Sequence, residues 1–150
     1  MPDLLDIDAL RERFLNEDFD EQTFVLSAEQ CVEYAITCGE LAPRFTDPTH
    51  PDFQAPPTLP SSFHPGRRLP VGFPKLAGLG MDAGKAIAAK RPIRPGVQLL
   101  GRTHLHDVYV KTGRSGRMTF MVTRMEIYDP EGEQLATADT RIVIRERPEK

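Results

Sequence analysis

Apolar and polar positions alternate most regularly in the second half of the chain. Met118–Tyr128 (MTFMVTRMEIY) is rich in β-branched and apolar residues and predicts a strand. Gln134–Arg145 predicts the strand that follows, with Ala138, Thr140, Ile142 and Ile144 on one side. Between them Asp129-Pro-Glu-Gly132 has the residues of a type I turn, with proline at its second position. Upstream, Val97–Lys111 reads as a long strand that turns back through Thr112–Gly116, and Lys85–Arg91 as a strand ending in the turn Pro92–Gly96. The first quarter has a different period. Leu4, Ile7, Leu10 and Phe14 recur at helical spacing, so residues 4–15 predict a short amphipathic helix. A brief strand, Gln22–Leu26, precedes Ser27-Ala-Glu-Gln30, a capping box that opens a helix of about three turns. Ala28, Cys31, Val32, Ala35 and Cys38 give that helix a small-residue face, and Gly39 stops it. Helix first and antiparallel meander later is an α+β arrangement.

One stretch fits neither period. Nine prolines fall between Pro43 and Pro74, and each removes a backbone donor and bars a continuous helix. Phe45, Phe53, Leu59, Phe63, Leu69, Val71 and Phe73 make the stretch too apolar for a solvated linker. The expectation is an irregular cover packed over the core.

Composition narrows the class. A chain of 150 residues buries roughly 70% of its surface on folding, so one domain with an ordinary core is expected. No apolar run approaches the ~18 residues needed to cross a bilayer, and the acidic N-terminal stretch lacks the order of a signal peptide. The two cysteines, Cys31 and Cys38, lie too far apart on one helix to bridge, which suggests reduced thiols and a cytoplasmic protein. Acid dominates residues 1–21, read as an arm ahead of a domain at 22–150; base is spread through the middle. The pI near 5.8 and the absence of interleaved aromatic and basic residues exclude a nucleic-acid surface. Phosphates of a nucleotide-bearing ligand would suit the basic side chains equally well.

Several segments together carry a resemblance. APPTLP at 55–60, RPIRPG at 91–96, the block from Asp107 to Ile144 and the helix ending Cys38-Gly39-Glu40 resemble the MaoC-like dehydratase N-terminal domain over roughly residues 22–146. The resemblance implies a single hot-dog domain, an antiparallel sheet wrapped on a helix, here with the central helix shortened by prolines. It also implies R-specific enoyl-CoA hydratase or 3-hydroxyacyl-thioester dehydratase chemistry, with coenzyme A only as part of the substrate and no metal or redox cofactor. Such chemistry needs a base to activate water, an acid to protonate the α-carbon and an N–H donor for the enolate oxygen.

Against the family's Gly-Asp-x-Asn-Pro-x-His motif, this chain reads Gly39-Glu40-Leu41-Ala42-Pro43-Arg44-Phe45. Glu40 keeps a carboxylate as the candidate catalytic group, Ala42 replaces the Asn, and Phe45 replaces the His. At the oxyanion position stands Ala55-Pro56-Pro57-Thr58, where only Ala55 and Thr58 have an N–H. Thr58 is therefore a candidate substrate contact, together with Arg91, Arg94, Lys111, Arg114 and Arg117 for coenzyme A phosphates. His50 is displaced by five residues from the family's His, and the strand pair His104 and His106 lacks further metal ligands. Cys31 and Cys38 read as packing.

The favoured expectation is the non-catalytic subunit of an enoyl-CoA hydratase, paired with a catalytic MaoC-like partner and shaping a channel for an acyl-CoA or acyl-carrier thioester. A shortened central helix would leave room there for a bulky acyl group, unless Phe63, Leu69 and Phe73 fill it. The alternatives are a homodimeric hydratase or thioesterase using Glu40, and an acyl-CoA binding module without catalysis.

Overall fold

Three strands legible in the sequence are neighbours in space: β3 (Gln98–Gly113), β4 (Gly116–Tyr128) and β5 (Gln134–Arg145). The computed structural model, which describes residues 5–75, 78–114 and 116–146, adds β1 (Asp18–Val25) and β2 (Leu79–Ala89) as the two edges. The sheet order is β1-β3-β4-β5-β2, antiparallel throughout. Alternation assigns the two faces. Thr119, Met121, Thr123, Met125 and Ile127 of β4 are buried, and their partners on β5 are Ile144, Ile142, Thr140, Ala138 and Ala136. This is the inner face. The expected turn after β4 forms, with Gly132 at φ +85° and the Asp129 carboxylate accepting the N–H groups of Glu131 and Glu133.

The inner face is covered from two directions. Helix α2 (Ala28–Thr37) has both bonds of its capping box, Ser27 Oγ accepting from Gln30 N–H and Gln30 Oε1 accepting from Ser27 N–H. It contributes Cys31 to a core cluster with Phe53, Leu59, Phe63, Leu99, Met125 and Ile127. Helix α1 (Ile7–Phe14) lays Leu10 and Phe14 on Leu105, Val108 and Met121 at the other end of the sheet. Arg11 Nε donates to the Val108 carbonyl at 2.7 Å, close to the β3 bulge between Leu105 and Asp107. The acidic segment that carries α1 thus lies against the sheet from Asp6 onward. The predicted helix start at Leu4 falls outside the described residues.

The proline-rich segment is the irregular cover expected of it. It holds only α3 (Pro43–Thr46) and one 3₁₀ turn (Leu59–Ser62). Phe45, Phe53, Leu59 and Phe63 are buried, whereas Val71 is exposed. Together with α2 it occupies the concave side of the sheet, the hot-dog arrangement with its central helix cut short. The Asp20 carboxylate tethers this cover by accepting the N–H groups of Gly66 and Arg67 at 3.0 and 3.1 Å.

Three expectations need correction. Strand β1 begins at Asp18, four residues before the expected Gln22, because Asp18, Asp20 and Glu21 pair with His104, Thr103 and Arg102. Strand β2 runs from Leu79 to Ala89 rather than over Lys85–Arg91: its glycines accommodate a bulge between Asp82 and Gly84 while pairing with β5 continues. The space expected for a bulky acyl group beside Phe63, Leu69 and Phe73 is filled by those side chains. Phe63 stacks on Phe24 with ring centroids 4.3 Å apart, Phe73 packs on Phe14 at 5.2 Å, and Leu69 joins the same cluster. Among the described residues no helix is long and apolar enough to cross a membrane.

Gly78 opens β2 at φ +126°, and a Cβ there would lie 2.4 Å from the Arg145 carbonyl oxygen. Gly78→Ala is expected to destabilise the fold by about 2 kcal/mol, combining backbone strain with a backbone clash. An unchanged urea midpoint would refute this account of the β2 start.

Candidate functional site

The segment after α2 is set by how that helix ends. Gly39 takes φ +75°, its N–H bonds to the Ile36 carbonyl at 3.0 Å, and the Glu40 N–H bonds to the Ala35 carbonyl at 2.8 Å. This is a Schellman ending, which glycine adopts without steric cost. It leaves Glu40 and Leu41 on the surface. Pro43 then opens α3, and Phe45 turns into the core at 3% exposure beneath the Arg44 guanidinium, 4.8 Å from its ring centre. Where the resemblance calls for an imidazole, the chain has a wall of the core. His50 does not replace it, since its Nδ1 accepts the Asp52 N–H at 3.0 Å within a local turn.

In the oxyanion segment most N–H groups are committed or missing. Gln54 N–H bonds to the Arg44 carbonyl and Ala55 N–H to the Ile93 carbonyl at 2.8 Å, and Pro56 and Pro57 have no N–H. The Tyr34 hydroxyl lies 3.0 Å from the Thr58 hydroxyl and donates to the Thr58 carbonyl at 3.1 Å. Beside this segment a cavity of about 210 Å³ is lined by Gln54–Pro57, Ala89–Ile93 and Ala136. Arg91 borders it; Glu40 does not.

The cationic candidates fall into two groups that β3 holds apart. Arg91 pairs with Glu133 at 3.4 Å, and Arg94 pairs with Asp52 at 2.8 Å while donating to the Phe53 carbonyl. Lys111, Arg114 and Arg117 lie at or beside the β3–β4 hairpin. From Gln98 to Lys111 the strand spans about 40 Å at ~3.3 Å per residue, so the two groups do not meet at one site. Arg117 reaches the Leu5 carbonyl and Glu146, and Lys111 lies over the Tyr109 and Phe120 rings.

The outer face carries its own polar cluster. His104 Nε2 lies 3.1 Å from His106 Nδ1, and His104 Nδ1 faces Asp18 and Glu126 at 3.8 and 4.0 Å. The Tyr128 hydroxyl donates to Glu126, which pushes its pKa up to about 12. Arg124 grips Asp139 with two bonds of 2.7 and 2.9 Å. Burial is the largest influence on His104 and holds its pKa below the usual imidazole value; Glu126 and Asp18 pull it upward, while His106 and Arg124 lower it further. No group of three or more potential metal ligands occurs among the described residues. Cys31 is buried, which raises its thiol pKa, and Cys38 is exposed.

A second cavity, about 510 Å³, opens between the proline cover and strands β5 and β2, with Thr123, Thr140 and Lys85 in its lining. Sequence alone does not single these residues out. The available signal is a threonine at core-facing positions of two adjacent strands.

Comparison with known proteins places the chain. A family model described as the FAS1-like dehydratase domain region matches residues 13–138. The chain belongs to this family. No curated protein matches it. Among solved structures, the MaoC-like dehydratase from Phytophthora capsici superposes with a TM-score of 0.69 at 19% identity, covering 97% of this chain and 52% of that one. This dehydratase-family chain therefore spans about half the length of that relative. The ChsH1–ChsH2 complex from Mycobacterium tuberculosis gives a TM-score of 0.61 at 15% identity, covering 90% of this chain and 86% of that one. The HadBC 3R-hydroxyacyl-ACP dehydratase complex from the same organism gives 0.53 at 17%, covering 85% and 98%. The expected MaoC-like resemblance and hot-dog fold are both borne out. Set against the motif of the resemblance, this chain departs at Ala42 and Phe45 and keeps Gly39, Pro43 and, in Glu40, a carboxylate.

Two outcomes follow from this geometry. Phe45→Ala should destabilise the domain by about 3 kcal/mol in urea denaturation, as expected for a core ring; a change below about 0.5 kcal/mol would mean that Phe45 is dispensable to packing. His104, with its folded pKa lowered, binds its proton less readily than in the unfolded chain. Its contribution to stability is complete above a pH of about 6.5 and is lost as pH falls below that value. The urea midpoint should therefore drop between pH 7.5 and 5.5, and the slope should flatten in His104→Gln. Parallel slopes in the two proteins would contradict it.

Proposed function

We propose that this chain is the non-catalytic half of a two-hot-dog hydratase or dehydratase acting on an acyl thioester of coenzyme A or a carrier protein. The observation that carries the reading is the burial of Phe45 at 3% exposure where the family places its His. A surface Glu40 has no second catalytic group to work with, and the oxyanion segment has spent or lost the N–H groups of Ala55, Pro56 and Pro57. Catalysis of water addition needs acid, base and oxyanion donor together.

The free edge of the sheet supports a partner. β2 presents eleven residues, nearly all exposed, with alanines and glycines that let a second strand approach closely. An unprotected edge of that length is a template for pairing. A second hot-dog domain, joined there as a separate chain or as a further domain, would supply the imidazole and carboxylate. The heteromeric ChsH1–ChsH2 and HadBC complexes, and the double length of the Phytophthora relative, are consistent with such pairing. Thr58 and Arg91 would then contribute to the thioester channel from this side. Two unpaired thiols fit a reducing, cytoplasmic setting.

The test is hydration of crotonyl-CoA by the purified chain, followed as loss of the conjugated enoyl absorbance. No turnover is expected from the chain alone. Turnover that disappears in Glu40→Gln would overturn the proposal and make the chain an autonomous enzyme.

A further inference from the structure

The inner face of the sheet is not uniformly apolar. One cluster, built on Leu99, Met125 and Ile127, lies toward α2, and another, built on Leu105, Val108 and Met121, lies toward α1. Between them runs a cross-strand row of polar side chains. Thr123 of β4 stands opposite Thr140 of β5, and Thr140 opposite Lys85 of β2. Nothing in the packing of two hydrophobic clusters calls for such a row. The cavity of about 510 Å³ opens on it, a volume within the ~300–1,000 Å³ of ordinary small-molecule sites.

Behind the row sits a buried polar group without a partner. Thr103 is 1% exposed, and its hydroxyl makes no hydrogen bond among the described residues. It lines a small space of about 10 Å³ that shares Pro65, Lys85, Thr123 and Thr140 with the larger cavity. A fully buried hydroxyl left unpaired in a native fold calls for a water or ligand atom.

The charge around the opening is positive on balance. Lys85 Nζ is held across the groove by the Ser61 carbonyl at 2.8 Å, and Arg68 stands at the rim. Asp82 opposes them, its carboxylate accepting the Gly84 N–H. Arg141 borders the groove too, but it pairs opposite Val122, a position of the outer face. Arg68, Lys85 and Arg141 against Asp82 leave the groove net positive, suited to an anion. Two hydroxyls, an ammonium and a guanidinium are donors to an oxygen acceptor, and a carboxylate accepts about four such bonds.

We infer that this groove binds a carboxylate, and that the acyl group handled by the domain carries one at the end remote from its thioester. The substrate class is thus a dicarboxylic acyl thioester, a reading that rests on the acyl-thioester role proposed above. The carboxylate lies on Thr123, Thr140 and Lys85, and a water links it to Thr103. The apolar clusters on either side are filled by their own side chains, and the groove between them is open to an acyl chain.

Calorimetric titration of the full chain with succinyl-CoA, butyryl-CoA, coenzyme A, free succinate and inorganic phosphate tests this. Succinyl-CoA should bind about tenfold more tightly than butyryl-CoA, the effect of one charge-assisted contact. Lys85→Met, an exposed position, and Thr123→Val should each abolish the difference between the two thioesters. If Thr123→Val does not fold, Lys85→Met alone decides. Equal affinities for the two thioesters would overturn the inference and leave the acyl-thioester role standing. Lys85-dependent binding of succinate without binding of any thioester would uphold the groove and defeat that role. Phosphate or coenzyme A matching succinyl-CoA in a Lys85-dependent manner would overturn the carboxylate assignment, and absence of all binding would overturn both.

Discussion

A sheet with one apolar face has to be covered, and a proline cannot donate the hydrogen bond that would let its segment cover the sheet as a helix. That conflict shapes this protein. The stretch from Pro43 to Pro74 meets the sheet as an irregular strip held by bonds from outside itself: Asp20 to Gly66 and Arg67, Ala55 to Ile93, Arg94 to Phe53, and Lys85 to Ser61. Its rings supply what a helix face would otherwise supply. Phe53, Leu59 and Phe63 close one cluster, and Leu69 and Phe73 complete the other around Phe14 and Leu105.

The same segment fixes the chemistry of the candidate site. Pro56 and Pro57 remove two donors where the family uses backbone N–H groups, and the anchoring bond from Ala55 occupies another. Phe45 serves the core from the position where the resemblance calls for a His. Packing and catalysis compete here for the same residues.

The two faces of the sheet also divide their polar groups differently. On the outer face, Arg124 with Asp139 and Tyr128 with Glu126 satisfy one another, and the two histidines bond together. On the inner face, the hydroxyl row of Thr123 and Thr140 faces open space and Thr103 has no partner among the described residues. Satisfied polar groups stabilise a surface, whereas unsatisfied ones facing a cavity are arranged for something that enters it.

Much of the fold is legible along the chain. Period-two alternation reveals β3, β4 and β5, because each has one face in the core; Asp129-Pro-Glu-Gly132 specifies its turn, and Ser27 with Gln30 and Gly39 delimit α2 at both ends. These signals are local, so sequence suffices. The losses at Ala42 and Phe45 are legible too, since they are identities rather than geometry. The edge strands are less so. β1 is masked by an acidic run that reads as surface, and β2 by glycines that read as breakers, yet pairing with β3 and β5 stabilises both. The separation of the two cationic groups, the filling of the expected acyl space and the alignment of Thr123, Thr140 and Lys85 into one row depend on register between strands distant in sequence. Register is set by long-range packing, and no local pattern encodes it.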